Sequence, residues 1–99
     1  MRSRYSAYVL QLVDYLVATT HPDQQEHSLK YDIEAWIDQP QWQNLEIVST
    51  RFGGEGDKLG WVEFKAHFIL NGEKQVLHEK SRFKRYHREW CYYDGKIFA

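Results

Sequence analysis

With one cysteine, two prolines and six glycines among 99 residues, the chain has few covalent or conformational locks. The lone Cys91 excludes an internal disulfide framework and a Cys-rich zinc site, and a chain without disulfides is expected in the reducing cytoplasm. Neither charge sign is in excess. Thirteen Lys and Arg stand against 14 Asp and Glu, which removes any global pull toward nucleic acid or an anionic membrane surface. No apolar run comes near the roughly 20 residues that a membrane span requires, and Met1-Arg2-Ser3-Arg4-Tyr5 leads into an amphipathic segment rather than an export signal. No repeat, low-complexity tract or linker divides the chain, so residues 1–99 are expected to form one domain. What the chain has in quantity is aromatic side chains, 16 % of the total with four Trp and seven Tyr. Side chains of that size fill a core or line a concave cavity.

Helical spacing comes first. Tyr5, Tyr8, Val9, Leu12, Tyr15, Leu16 and Thr19 predict one long helix, stopped by Thr20-His21-Pro22-Asp23. Arg2 and Arg4 then lie at the positive end of its dipole, a misfit unless they have acidic partners elsewhere. Ile33, Trp36 and Ile37 mark a short second helix that ends before Pro40.

The period then changes to two. Leu45–Thr50 reads as a strand, Gly53-Gly54-Glu55-Gly56-Asp57 as a loop, and Trp61–Leu70 as a second strand. Asn71-Gly72 is a strong hairpin signal, because both turn positions tolerate positive φ. A two-residue loop there sets Leu70 opposite Glu73, Ala66 opposite Leu77, Phe64 opposite Glu79 and Val62 opposite Ser81 on one face. The other face pairs Lys65 with His78, Glu63 with Lys80 as an ion pair, and Trp61 with Arg82 as a cation over an indole. A slip of one residue would expose Phe64 and Phe68, so the register is strongly specified. If His87-Arg88 closes the next hairpin, Phe83 faces Tyr92, Ser81 faces Asp94, and Trp90 joins the inner face. The fold class is therefore α+β: two N-terminal helices packed on a curved four-stranded antiparallel meander.

Four segments, Arg2-Ser3-Arg4-Tyr5-Ser6-Ala7-Tyr8-Val9, Val62-Glu63-Phe64-Lys65-Ala66, Leu77-His78-Glu79-Lys80-Ser81-Arg82-Phe83 and Trp90-Cys91-Tyr92, occur in this order. Together they resemble the middle domain of the YchJ-like bacterial proteins, a family itself uncharacterised, over nearly the whole chain. The resemblance implies the nuclear-transport-factor-2-like cone, also called cystatin-like. Longer members of that family flank this domain with Cys-rich SEC-C motifs that bind zinc; the zinc-ligand cysteines are absent from this sequence. Where the family has a glycine before the tryptophan, this chain has Arg88-Glu89.

The inner row of the third strand is the most informative place for function. Glu79 and Ser81 sit between Leu77 and Phe83 on an otherwise apolar face, where polar groups need a partner or a purpose. The expected pocket comprises Arg4, Tyr8, Phe64, Glu79, Ser81, Phe83, Trp90 and Tyr92. The plainer alternative is a structural Glu79 satisfied by an ion pair with Arg4, which would also explain the misfit arginine, and this pairing is the expectation. Asp94 could make a second carboxylate at the site, although Asp94-Gly95 reads first as a turn. Cys91 alternates outward and reads as an inert thiol. The histidines have no metal-ligand spacing, so neither metal nor cofactor is expected.

On the outer face of that strand His78, Lys80, Arg82 and Lys84 form a basic row, continued by Arg85 and Arg88, beside Trp61, Tyr86 and Tyr93. Basic residues among aromatics can grip single-stranded nucleic acid, but such a row is also ordinary protection of a sheet against aggregation, and the balanced net charge favours the latter. A homodimer through this face, centred on Trp61 and Tyr93, is the other candidate use. The leading functional reading is non-catalytic binding of an unidentified ligand or partner segment in the concave pocket. The alternatives are a small pocket enzyme of the isomerase, dehydratase or hydrolase type, with Glu79 as general acid or base, and an interaction module using the basic strand.

Overall fold

A computed structural model describes residues 2–98. Three short helices, α1 (Arg2–Val9), α2 (Val13–Ala18) and α3 (Leu29–Glu34), precede four strands, β1 (Gln41–Phe52), β2 (Leu59–Leu70), β3 (Glu73–Tyr86) and β4 (Glu89–Ile97). The strands form one antiparallel sheet in sequence order. A 3-10 turn at Pro22–Gln24 lies between α2 and α3. The architecture is the expected α+β one, with one difference in the helical layer.

The expected long first helix is broken at Gln11, whose φ is 57°. The Leu12 amide reaches back to the Ala7 carbonyl at 2.8 Å and the Gln11 amide to Tyr8 at 3.2 Å. That pattern closes a helix with a left-handed residue, a position usually held by glycine. Helical periodicity continues through the break because both halves bury apolar residues. Ala7, Leu16, Ile33 and Ile37 form one buried cluster joined by Tyr8, Val13, Val17 and Leu29. A straight helix could not place Ala7 and Leu16 in that cluster and also bring its own end back over Arg4.

The β2–β3 register is the expected one throughout, from Leu70 opposite Glu73 to Trp61 opposite Arg82. Asn71 and Gly72 turn with φ of 52° and 80°, the mirror-image geometry that matches strand twist. His87 and Arg88 make the same kind of turn, with φ of 50° and 71° and no glycine. Two irregularities curl β1. Register shifts at Gln43 and Val48 keep Trp42, Leu45, Ile47 and Thr50 on the inner face, opposite Phe68, Ala66, Phe64 and Val62. A third shift, between Arg82 and Phe83, skips Tyr93. It leaves Phe83 opposite Tyr92 as expected but moves Gly95, not Asp94, opposite Ser81.

Residues 19–21 extend the sheet past β4: the Tyr92 amide donates to the Thr19 carbonyl and the His21 amide to the Tyr92 carbonyl, both at 2.8 Å. This covers part of an otherwise free strand edge. No described helix is long and apolar enough to cross a membrane.

Candidate functional site

Odd-numbered residues of β3 face the helices, and between Leu77 and Phe83 two of them, Glu79 and Ser81, are polar. Ser81 is fully buried, and its hydroxyl donates to the Glu79 carboxylate in a short hydrogen bond. The two residues stand one step apart on the same face, so their side chains meet without distortion. Gly95 makes room for them. A Cβ there would come within 2.7 Å of the Glu79 carboxyl carbon and 3.0 Å of the Tyr92 hydroxyl. Asp94-Gly95 is thus strand rather than turn, and its glycine serves close approach rather than backbone freedom. Asp94 points to the outer face, where it holds Arg82 through two hydrogen bonds of 2.9 and 2.5 Å. It is no second carboxylate for Glu79, because the skipped Tyr93 shifts every later residue of β4 by one.

Arg4 is 6 % exposed. The expected ion pair with Glu79 is not formed. Instead Nη1 donates to the Leu16 carbonyl at 3.1 Å and to the Thr19 hydroxyl at 2.6 Å. The misfit arginine is resolved by the helix break: Arg4 opposes the dipole of α1 but caps the negative end of α2, which the break brings to it. Its guanidinium carbon also lies 4.8 Å from the centre of the Tyr92 ring. Tyr92 in turn is held well above the usual phenol range, first by burial and then by the charge of Glu79, partly offset by Arg4.

Aromatic rings roof this polar base. Tyr8 stacks on Trp36 with centroids 5.6 Å apart, and Tyr5 and Tyr8 pack against Trp42 at 5.9 and 6.0 Å. Between roof and sheet lies a cavity of about 260 Å³, to which Arg4, Tyr8, Phe64, Glu79, Ser81 and Tyr92 all contribute. Phe83 and Trp90 do not line it. They border a second hollow of about 330 Å³ at the other end of the sheet, with Phe52 and Trp61. The Phe83 and Tyr92 rings meet edge to face at 5.9 Å. Arg85, 4.2 Å above the Trp90 ring and bonded to carbonyls of Gly54, Asp57 and Arg88, ties Trp90 to the loop end.

Tyr5, Trp36, Trp42 and Leu77 also line the first cavity, although sequence reasoning did not assign them to it. Tyr5 and Trp36 lay on predicted apolar helix faces, which was the available signal. Trp42 was hidden because the irregularity at Gln43 interrupts alternation just where the strand begins. The Trp42 indole nitrogen is the one buried side-chain polar atom without a partner among the described residues. Such an orphan donor typically costs about 1–3 kcal/mol.

The outer face keeps the expected register but not the expected contacts. Glu63 bonds diagonally to His78 at 2.8 Å instead of pairing with Lys80, and Arg82 takes Asp94 and the face of Tyr93 rather than Trp61. Lys84 Nζ stands 3.6 Å from the centre of the same Tyr93 ring. Arg85 leaves the basic row altogether, since it shares the inner face with Trp90. Cys91 is buried, and burial pushes its thiol up, away from reactivity. Among the described residues no three His, Cys, Asp or Glu side chains cluster as a metal site would require.

With this geometry in hand, comparison with known proteins places the chain. Residues 1–95 match the family model described as YchJ, middle NTF2-like domain. The chain belongs to this family. It is 44 % identical over 97 residues to a UPF0225 protein of Photorhabdus laumondii, covering 96 % of this chain and 60 % of that one. It is 42 % identical to a UPF0225 protein of Chromobacterium violaceum, covering 98 % and 70 %. The chain thus spans about six tenths of the first of these relatives. The solution structure of a SEC-C motif containing protein from Rhodopseudomonas palustris superimposes with a TM-score of 0.83 at 32 % identity, covering all of this chain and 76 % of that one. A crystal structure of a SEC-C motif containing protein from Psychrobacter arcticus gives 0.79 at 33 %, covering all of this chain and 59 % of that one. The family is uncharacterised, so it carries the fold to this chain and leaves the use of the cavity to be argued from its walls.

Proposed function

We propose that the domain binds a small ligand, or one side chain of an inserted partner segment, in the cavity between α1 and the sheet, without chemistry. The observation that carries this reading is the aromatic-walled hollow over the Glu79–Ser81 pair. Pockets for small molecules are concave and mostly apolar, with a few fixed polar groups, and this one has that composition. Ser81 is poorly suited to nucleophilic attack: it is fully buried, and its proton goes to a carboxylate rather than to a histidine oriented by a third group. We place the domain in the cytoplasm, in keeping with its unpaired cysteine. The outer face supports nucleic-acid binding less well, because Arg82 and His78 already have carboxylate partners.

The test is an amide and indole NMR titration with small aromatic fragments. Fragment-induced shifts should centre on Trp36, Trp42 and Tyr92. A titration in which these signals stay still while others move would sink the reading.

A second reading, proton transfer by Glu79, is favoured by one observation, the Tyr92 hydroxyl and the Glu79 carboxylate set together beside Gly95 in the wall of the same cavity. A base next to a neutral hydroxyl donor suits abstraction of a proton beside a carbonyl group. Deuterium uptake by cyclohexanone in heavy water, catalysed by the protein and abolished by Glu79→Gln, would establish it; equal uptake with both proteins would remove it.

A further inference from the structure

Arg4 is used only in part by its role as a cap. One nitrogen, Nη1, makes both protein hydrogen bonds; among the described residues Nε and Nη2 have no hydrogen-bond partner and no carboxylate pairs with the group. Neither nitrogen is sealed off, since Trp42 Nε1 is the one sealed and unpartnered atom. Arg4 is 6 % exposed and lines the cavity with donors to spare, a buried charge that has a helix end and a ring for company but no carboxylate, and buried charges are normally paired.

We infer that the cavity binds a small carboxylic acid with a flat apolar body, its carboxylate taken by the free edge of Arg4 and its body by the Tyr8, Trp36 and Trp42 rings. This rests on the reading of the hollow as a ligand site and names what that ligand is. The guanidinium fork matches a carboxylate in two parallel hydrogen bonds. Glu79 in the same cavity argues for a singly charged head, because a dianionic phosphate would face one cation and one opposing carboxylate. The rings favour a planar body that can stack. At about 260 Å³ the cavity lies just under the roughly 300–1,000 Å³ of sites for drug-sized molecules, so the occupant is fragment-sized.

Phenylacetate, 2-phenylethanol and phenethylamine share a body and differ in the charge of the head, which makes them a matched set. Their affinities are read by calorimetry, and their location by the Trp36 and Trp42 indole signals. Phenylacetate should bind about tenfold or more tighter than the alcohol, as two charge-assisted hydrogen bonds imply. Arg4→Lys, which keeps the charge and loses the fork, should narrow the gap between the acid and the alcohol. Glu79→Gln should tighten phenylacetate by removing the opposing charge, and it decides the matter even if the Arg4 variant fails to fold. Equal binding of acid and alcohol would overturn the inference, leaving Arg4 as a cap and the hollow intact. Tightest binding of the amine would overturn it in favour of recognition by Glu79. If none of the three moves the indole signals, the hollow itself is no ligand site and both readings fall.

Discussion

On the outer face of β3, polar groups meet partners near the surface: His78 finds Glu63, Arg82 finds Asp94, and Lys84 and Arg82 share the Tyr93 ring. One residue along the chain, on the inner face, Ser81 is wholly buried and Glu79 half-buried, and the cation that lines the same cavity, Arg4, caps a helix instead of pairing with them. The two faces draw on similar residue types, yet their energetics differ. Outside, each interaction competes with water and contributes little. Inside, every unmet hydrogen bond is costly, and the unused donors of Arg4 are the ground on which we propose a ligand there.

The contrast fails first, if it fails, at Phe64. It is 3 % exposed beneath the cavity, and Phe64→Ala should cost about 3–5 kcal/mol in chemical denaturation, while Phe52→Ala, at a position 64 % exposed, should cost less than about 1. Similar losses at the two positions would mean that the inner face is not the structural one. Next in size is Ser81→Ala, expected to lose about 1–3 kcal/mol by stripping the half-buried Glu79 carboxylate of its buried donor. A neutral result would place water at Glu79 and open the inner face to solvent.

Tyr92 sharpens the contrast through pH. Its folded pKa lies above the ordinary phenol value of about 10, so above about pH 10 the unfolded chain gives up this proton first. The stabilisation from the neutral phenol is therefore complete below about pH 10 and is lost as pH rises toward the folded value. Tyr92→Phe should flatten that alkaline decline in a series of denaturation midpoints, in part only, because burial also raises Tyr5. An unchanged decline would show that Tyr92 is exposed. Smallest of all, a double-mutant cycle with Arg82→Gln and Asp94→Asn should return a coupling under about 1 kcal/mol, as both side chains are more than a third exposed. A coupling larger than the Ser81→Ala loss would reverse the ranking of the faces.

The strands and their pairing were open to reading because the rules that set them are local. Period-two alternation and the Asn71-Gly72 turn fix which residues of β2 and β3 share a face, and every pairing drawn from them is present. The same rules carry across the His87-Arg88 turn as far as Phe83 and Tyr92 and then fail, because nothing near Tyr93 marks the residue that is skipped. The site was legible in its base, Glu79 and Ser81, and in Arg4, Tyr8, Phe64 and Tyr92, as residues around one hollow. It was not legible in Gly95, which looks like a turn residue and is instead the gap that admits the Glu79 carboxylate.

By itself, then, the sequence determined the element types, the central register and the family to which the chain belongs, since short-range pattern and turn chemistry suffice for these. Only the tertiary structure decided the break at Gln11, the curl of β1 at Gln43 and Val48, and the partners of Arg4 and Asp94. Each of these depends on groups distant in the chain competing for the same place. Arg4 meets the end of α2 because burying Ala7 and Leu16 together folds the helical layer back on itself, and no spacing along the chain records that competition.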